Sequence, residues 1–203
     1  LRLCVESIRA CTHMPYNIIV VNNGTNQELH DWASTQKDIV YIKTGRMNFA
    51  QAVNTGIRAG ASKYVMILND DTIVSENWLS NMTAIFDRIP EAGAVGPLSN
   101  CDKGWLHDER FIIDGIELLP GINTVEQIKP IIPQIYTYKH EVKYSVEQKP
   151  EWVALYCTLI PRKVINEIGL LDEHFTNSGE DTDYMYRIKK FGYMINFCFP
   201  LKK

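Results

Sequence analysis

Short apolar runs alternate along this chain with longer stretches whose apolar residues recur at helical spacing, most regularly in the first hundred residues. Residues 1–11 put Leu1, Leu3, Cys4 and Ile8 on one stripe and predict a helix. Asn17 to Val21 is a β-branched run broken by Asn22-Asn23-Gly24. Glu28 to Gln36 reads as helix, and Val40 to Ile42 as a short strand ending at Gly45. Asn48 to Ala59 carries Phe49, Ala52, Val53 and Ile57 at helical spacing, with Gly60 where a C-cap belongs. Tyr64 to Leu68 is an apolar run of strand length. Ser75 is the expected N-cap of a helix that turns Trp78, Leu79, Met82, Ile85 and Phe86 inward and stops at Pro90. Ala94-Val95 opens a further strand. Strands alternating with helices predict an α/β fold, a mostly parallel central sheet flanked by helices. Ligands gather beyond the carboxyl ends of such strands, which points to Asn22–Asn26 and Asn69–Thr72.

The second half is less regular. Phe111 to Leu118 reads as a hairpin turning at Asp114-Gly115. Residues 120–150, with Pro120, Pro130, Pro133 and Pro150, read as a partly helical excursion. Val153 to Ile160 is an expected strand, and Pro161 suits the first turn of a helix over Arg162–Ile168. Asp181 to Lys190 reads as the last helix, closed by Gly192, before a strand-like run from Tyr193 to Phe199.

The 203 residues, 45% hydrophobic and 22% charged, fit one globular domain. A net charge of −3 argues against a nucleic-acid partner, which would need a basic surface. No run approaches the ~20 apolar residues of a transmembrane segment, and no secretory signal is visible. The five cysteines are scattered and form no CxxC pair, so neither a zinc site nor a disulfide framework is indicated, and a cytoplasmic setting is expected. Both ends read as cut from a longer protein.

Three segments carry candidate chemistry. Val65 to Leu68 delivers Asn69-Asp70-Asp71-Thr72 into a loop. Adjacent carboxylates repel, and a hard divalent cation, Mg²⁺ or Mn²⁺, would hold both ionised. An Asp-rich turn capping the helix near Ser75 is the other reading. Gly179-Glu180-Asp181-Thr182-Asp183 opens a helix, where acidic residues also simply favour the macrodipole. Ile18 to Val21 followed by Asn22-Asn23-Gly24 is, alone, a strand and a turn.

Taken together and in order, these segments resemble family 2 glycosyltransferases of the GT-A fold. Val20 to Thr25 is similar to that family's V-D-N-G-S turn, Asn48 to Ile57 to its GFaxaxNxGi helix, and Leu68 to Thr72 to its DXD-type loop. Ala94 to Asn100 is similar to a vvGpxxsn strand, Ile168 to Phe175 to vGgfDExf, and Gly179 to Asp183 with Arg187 to gEDvDlxxR. Asn22 departs from the usual Asp, and the family's first strand is lacking.

The resemblance implies a single catalytic domain over 1–203, with residues 1–100 as its nucleotide-binding half and 101–203 as its acceptor-side half; it implies that Asp71 binds the cation, Asp70 the ribose, and Asn22, Asn23 and Asn54 the nucleotide. It implies Asp181 as general base on the acceptor hydroxyl, with Glu180 beside it. The donor would be a nucleotide-diphosphate sugar, the acceptor a glycan or lipid-linked sugar, and the outcome inversion. Other parts of the full protein would bring the domain to the inner face of the membrane. Trp105, Trp152 and Tyr156 are acceptor-side candidates, and His107 and His174 lie nearest the motifs. A sugar nucleotidyltransferase, or an inactive or carbohydrate-binding remnant, are the other readings.

Overall fold

A computed structural model describes residues 1–97, 127, 152–176 and 178–198. The expected hairpin at 111–118, the excursion at 120–150, and Trp105, His107 and His140 lie outside the described residues. The elements are α1 (Arg2–Cys11), β1 (Ile18–Asn22), α2 (Gln27–Thr35), β2 (Ile39–Lys43), α3 (Phe49–Ala59), β3 (Tyr64–Leu68), α4 (Trp78–Arg88), β4 (Ala92–Pro97), β5 (Cys157–Pro161), α5 (Arg162–Ile168), α6 (Glu180–Lys190) and β6 (Met194–Cys198).

β1 and β2 form a parallel pair, and the other four strands are ordered β3-β5-β4-β6. In that sheet β3, β4 and β6 run one way, and β5 lies antiparallel between β3 and β4. The reversal was not legible because every residue of β5 is buried. A strand covered on both faces has no alternation to distinguish its setting. The parallel pair and the four-stranded ladder stay separate among the described residues.

Alternate strand residues feed two apolar layers. Ile67, Ala94, Ile160 and Ile195 pack with Ala50 and Ile57 of α3, Val164, Ile165 and Ile168 of α5, and Tyr184, Met185 and Ile188 of α6. On the other face Val95, Leu159 and Met66 meet Met82 and Ile85 of α4. Ile18, Val20 and Leu68 meet Cys4, Val5, Ile8 and Cys11 of α1. The first of these layers draws residues from both halves of the chain, so among the described residues the two halves share a core. Among the described residues no helix is long and apolar enough to cross a membrane.

Several boundaries differ from the pattern reading. The strand expected over Val153–Ile160 is confined to Cys157–Pro161, because its ladder is set by β3: Leu68 pairs with Cys157 and Tyr64 with Pro161. Pro161 therefore ends a strand and precedes α5 rather than sitting in its first turn. α4 begins at Trp78, not after Ser75. Asn77, at φ 60°, precedes it, and the Trp78 indole donates to Thr12 Oγ1 at 2.9 Å. Gly60 is extended, not left-handed. Gly60 is nonetheless the C-cap of α3, its N–H donating to Ile57 O at 3.4 Å, and Arg162 adds to the closure, its guanidinium donating to Ile57 O (3.0 Å) and Gly60 O (2.9 Å). β4 slips register between Ala92 and Ala94, where a Cβ on Gly93 would stand 2.5 Å from Tyr193 Cβ.

Candidate functional site

The topology decides which ends of the elements meet. α3 runs antiparallel to β1, since a Cβ on Gly60 would meet Ile19 Cδ1 and one on Gly56 would meet Val21 Cγ2. Its N-terminus therefore lies where β1 ends: Asn23 Nδ2 donates to Met47 O at 3.0 Å, and Thr44 N to Asn22 O at 3.0 Å. β3 follows α3 back across the sheet and finishes at the same edge. α6 feeds β6 through a tight turn, so its first residues lie where β6 and its parallel neighbour β4 finish. Asn22-Asn23, Asn69–Thr72 and Glu180-Asp181 thus share the carboxyl edge of the strands, the place where α/β proteins bind ligands.

The acidic loop is anchored by backbone. Asn69 N donates to Tyr156 O at 2.7 Å, and Thr72 N to Asn69 O at 3.2 Å. α1 supports both flanks, with Cys4 Sγ 3.6 Å from Asn69 O and Ser7 Oγ accepting from Val74 N at 3.1 Å. Burial pushes the Cys4 thiol up to about 11; the Leu1 amino group opposes this, and the nearby Asp70 and Asp71 carboxylates reinforce it. Both aspartates are exposed. Asp70 Oδ2 lies 3.7 Å from the Leu1 amino group. Neither carboxylate caps α4, which has no side-chain cap at all, so the capping reading of this loop is set aside.

The turn after β1 is more closed than expected. Asn22 is 7% exposed; its Oδ1 accepts from Gly24 N at 2.9 Å, and its Nδ2 donates to Tyr41 Oη at 2.8 Å. His30 Nδ1 lies 2.7 Å from the same hydroxyl. With Asn22 donating to that oxygen, its own proton goes to His30, which is then the acceptor. Asn23 stays exposed.

α6 opens at Gly179, whose φ of 102° is a conformation L side chains avoid, and Asp183 N donates to Gly179 O at 2.9 Å. Asp181 and Glu180 are partly buried. Glu180 Oε2 is shielded from solvent and has no hydrogen-bond partner among the described residues. Asp183 turns away to Arg187, accepting from its Nε at 2.8 Å. Asp183 is thereby a structural member of its motif.

Asn54 does not reach the nucleotide edge as expected. It is 1% exposed, donates to Leu171 O (2.9 Å) and Glu173 Oε1 (2.8 Å), and accepts from Leu171 N (3.0 Å). Both amide protons are committed inside the protein. Tyr156 Oη donates to Pro97 O at 3.2 Å, Trp152 packs on the core, and His174 Nδ1 lies 2.8 Å from Asp172 Oδ1. The pattern reading missed the Asn54–Leu171 pairing and the Asn22–Tyr41–His30 chain. No local spacing announces either one, because each joins residues the fold alone brings together.

The fold is that of GT-A glycosyltransferases. The chain belongs to glycosyl transferase family 2, whose model matches residues 1–167. It is 21% identical over 197 residues to a hyaluronan synthase of Pasteurella multocida, covering 89% of this chain and 20% of that protein. It is 23% identical over 205 residues to an N-acetylglucosaminyl-diphospho-decaprenol L-rhamnosyltransferase of Mycobacterium tuberculosis, covering 94% of this chain and 66% of that protein. Among solved structures, GalNAc-T7 with UDP, GalNAc and Mn²⁺ superposes with a TM-score of 0.66 at 18% identity, over 96% of this chain and 38% of that one. Mannosyltransferase PcManGT from Pyrobaculum calidifontis, with GDP-Man and Mn²⁺, gives 0.55 at 15% identity, over 89% and 45%.

Proposed function

We propose that this chain transfers a sugar from a nucleotide-diphosphate donor to an acceptor hydroxyl, with inversion at the anomeric carbon. The observation that carries the reading is the shared edge: the exposed Asp70-Asp71 loop and the Glu180-Asp181 helix start lie at the carboxyl ends of one set of strands. Relatives named for glycan synthesis and for a lipid-linked acceptor support a glycan or lipid-linked sugar as acceptor.

Among the described residues no three His, Cys, Asp or Glu side chains cluster to cage an ion. An exposed carboxylate pair without such a cage suits Mg²⁺ or Mn²⁺, which take one or two carboxylates and complete their shell with phosphate oxygens and water. Asp71 would hold the cation, which when bound offsets charge on the departing diphosphate. Asp70 would accept from the ribose, and Asn23, exposed beside Asn22, would face the base. Asp181 would take the acceptor proton, because a hydroxyl is a poor nucleophile until that proton is leaving. Glu180 would orient the acceptor: its shielded Oε2, without a partner among the described residues, would accept from an incoming hydroxyl. One displacement with one base inverts the anomeric centre.

The test is nucleoside-diphosphate release from UDP-, GDP- and dTDP-linked sugars with Mn²⁺. Asp181→Asn is expected to keep donor binding and lose ~10²-fold or more in turnover. Asp71→Ala is expected to lose the Mn²⁺-dependent part of UDP or GDP binding. Parental turnover in Asp181→Asn would remove Asp181 from the base role, and pyrophosphate chemistry would point to a nucleotidyltransferase instead.

A further inference from the structure

We infer that Asn54 is a positioning residue that sets the start of α6, and with it Glu180 and Asp181, against the donor side of the sheet; this rests on the transferase reading above. The link is a strap over residues 168–173, tied on both sides. On the α6 side, Tyr184 Oη donates to Gly169 O (2.9 Å), and Arg187 Nη1 to Ile168 O (3.2 Å) and Leu170 O (2.9 Å). On the α3 side, Asn54 grips Leu171 through both its N–H and its C=O, as a neighbouring strand would, and Asn48 Nδ2 donates to Glu173 O at 2.9 Å. Arg58 adds only a 3.5 Å contact to Glu173 Oε1.

These ties have a direction. α3 begins beside the Asn22-Asn23 turn, where Asn23 holds Met47 O. α6 carries Glu180 and Asp181 in its first turn. Neither helix hydrogen-bonds the other directly among the described residues, so the strap is the polar connection between them. Asn54 is its best-sealed knot, 1% exposed, with its partner Leu171 at 3%. An amide with three fixed hydrogen bonds in a dry interior has no room to shift, whereas apolar contacts alone slide at little cost. Catalytic groups displaced by about 1 Å lose up to ~10²-fold in rate, so a remote fastener of this kind is a kinetic element.

Two readouts test it. Hydrogen exchange of the whole chain with Asn54→Ala is expected to speed up about tenfold over residues 178–184 as well as at Leu171, with the β3 and β5 amides unchanged. Faster exchange at Leu171 alone would overturn the inference, because the strap would then not reach α6. In the release assay with Mn²⁺, Asn54→Ala is expected to lower kcat at least about tenfold with KM for the donor kept within about twofold. A raised KM at parental kcat would overturn it. Should Asn54→Ala not fold, Asn54→Asp sets a carboxylate against Glu173, and adding Glu173→Gln is expected to restore part of the lost kcat and exchange protection; no recovery counts against Asn54. A parent chain that turns over no donor would defeat the transferase reading and leave the exchange result to decide the strap.

Discussion

Arg187 is the side chain whose removal tests the reading of α6 most directly. Its Nη1 serves the carbonyls of Ile168 and Leu170, its Nε bonds Asp183 Oδ2 at 2.8 Å, and its guanidinium lies 4.8 Å over the Tyr184 ring. Arg187→Met keeps most of the apolar stem and removes the fork. Each carbonyl loses a charge-assisted donor worth ~1 kcal/mol net in a partly buried setting. The ion pair adds ~1 kcal/mol and no more, because the two side chains are 23% and 26% exposed and Asp183 can recover water. The total of ~3 kcal/mol corresponds to a fall in Tm of about 6–12 °C for a chain this size. Urea and thermal unfolding read it directly. Arg187→Lys keeps the charge without the planar fork and is expected to recover less than half of the loss. A drop below ~1 kcal/mol for Arg187→Met would show that the strap carbonyls are satisfied by water and that the fork holds nothing.

Other expectations follow from the same geometry. Gly179→Ala forces a φ of 102° on an L residue and sets a Cβ 3.1 Å from the Phe175 ring, so it is expected to cost ~2 kcal/mol and to displace the first turn of α6, read by unfolding and by loss of turnover. Burial pushes the thiols of Cys157 and Cys198 up to about 12 and that of Cys4 up to about 11. At pH 8 these three are expected to resist iodoacetamide in the native chain and to react once it is unfolded, as read by peptide mass mapping. The same shifts fix the sign of a pH effect. The unfolded chain gives up these protons near the ordinary thiol pKa of 9.0 while the folded chain keeps them, so stability falls from pH 9 upward toward about 12. A flat unfolding midpoint across that window would contradict the buried placement. With Asp181→Asn and Asn54→Ala, these variants separate loss of chemistry from loss of support.

Among the described residues, what the chain's own pattern determined was the order of helices and strands, and with it the strand ends at which to look for a site. Tyr64 to Leu68 is legible because five apolar residues followed by Asn-Asp-Asp leave one way to bury the run and hydrate the loop. α3 is legible because helical spacing coincides with Asn48 and Gln51, which form a capping box. Such signals are local: each residue's role depends on neighbours within about one helical turn or one strand.

Tertiary structure alone decided the rest. The direction of β5 depends on which strand it meets, and its pairing with β3 also set the length of the strand expected from Val153. Gly60 caps α3 as its place in the sequence suggested, but the guanidinium that also holds that end comes from Arg162, about a hundred residues away. Asn54 shows the limit most clearly. Its place in a motif marked it as important, while its role is set by the backbone of Leu171, 117 residues on. Polar atoms in a dry interior must find partners wherever the fold brings them. That requirement spans the whole molecule, and no window of sequence contains it.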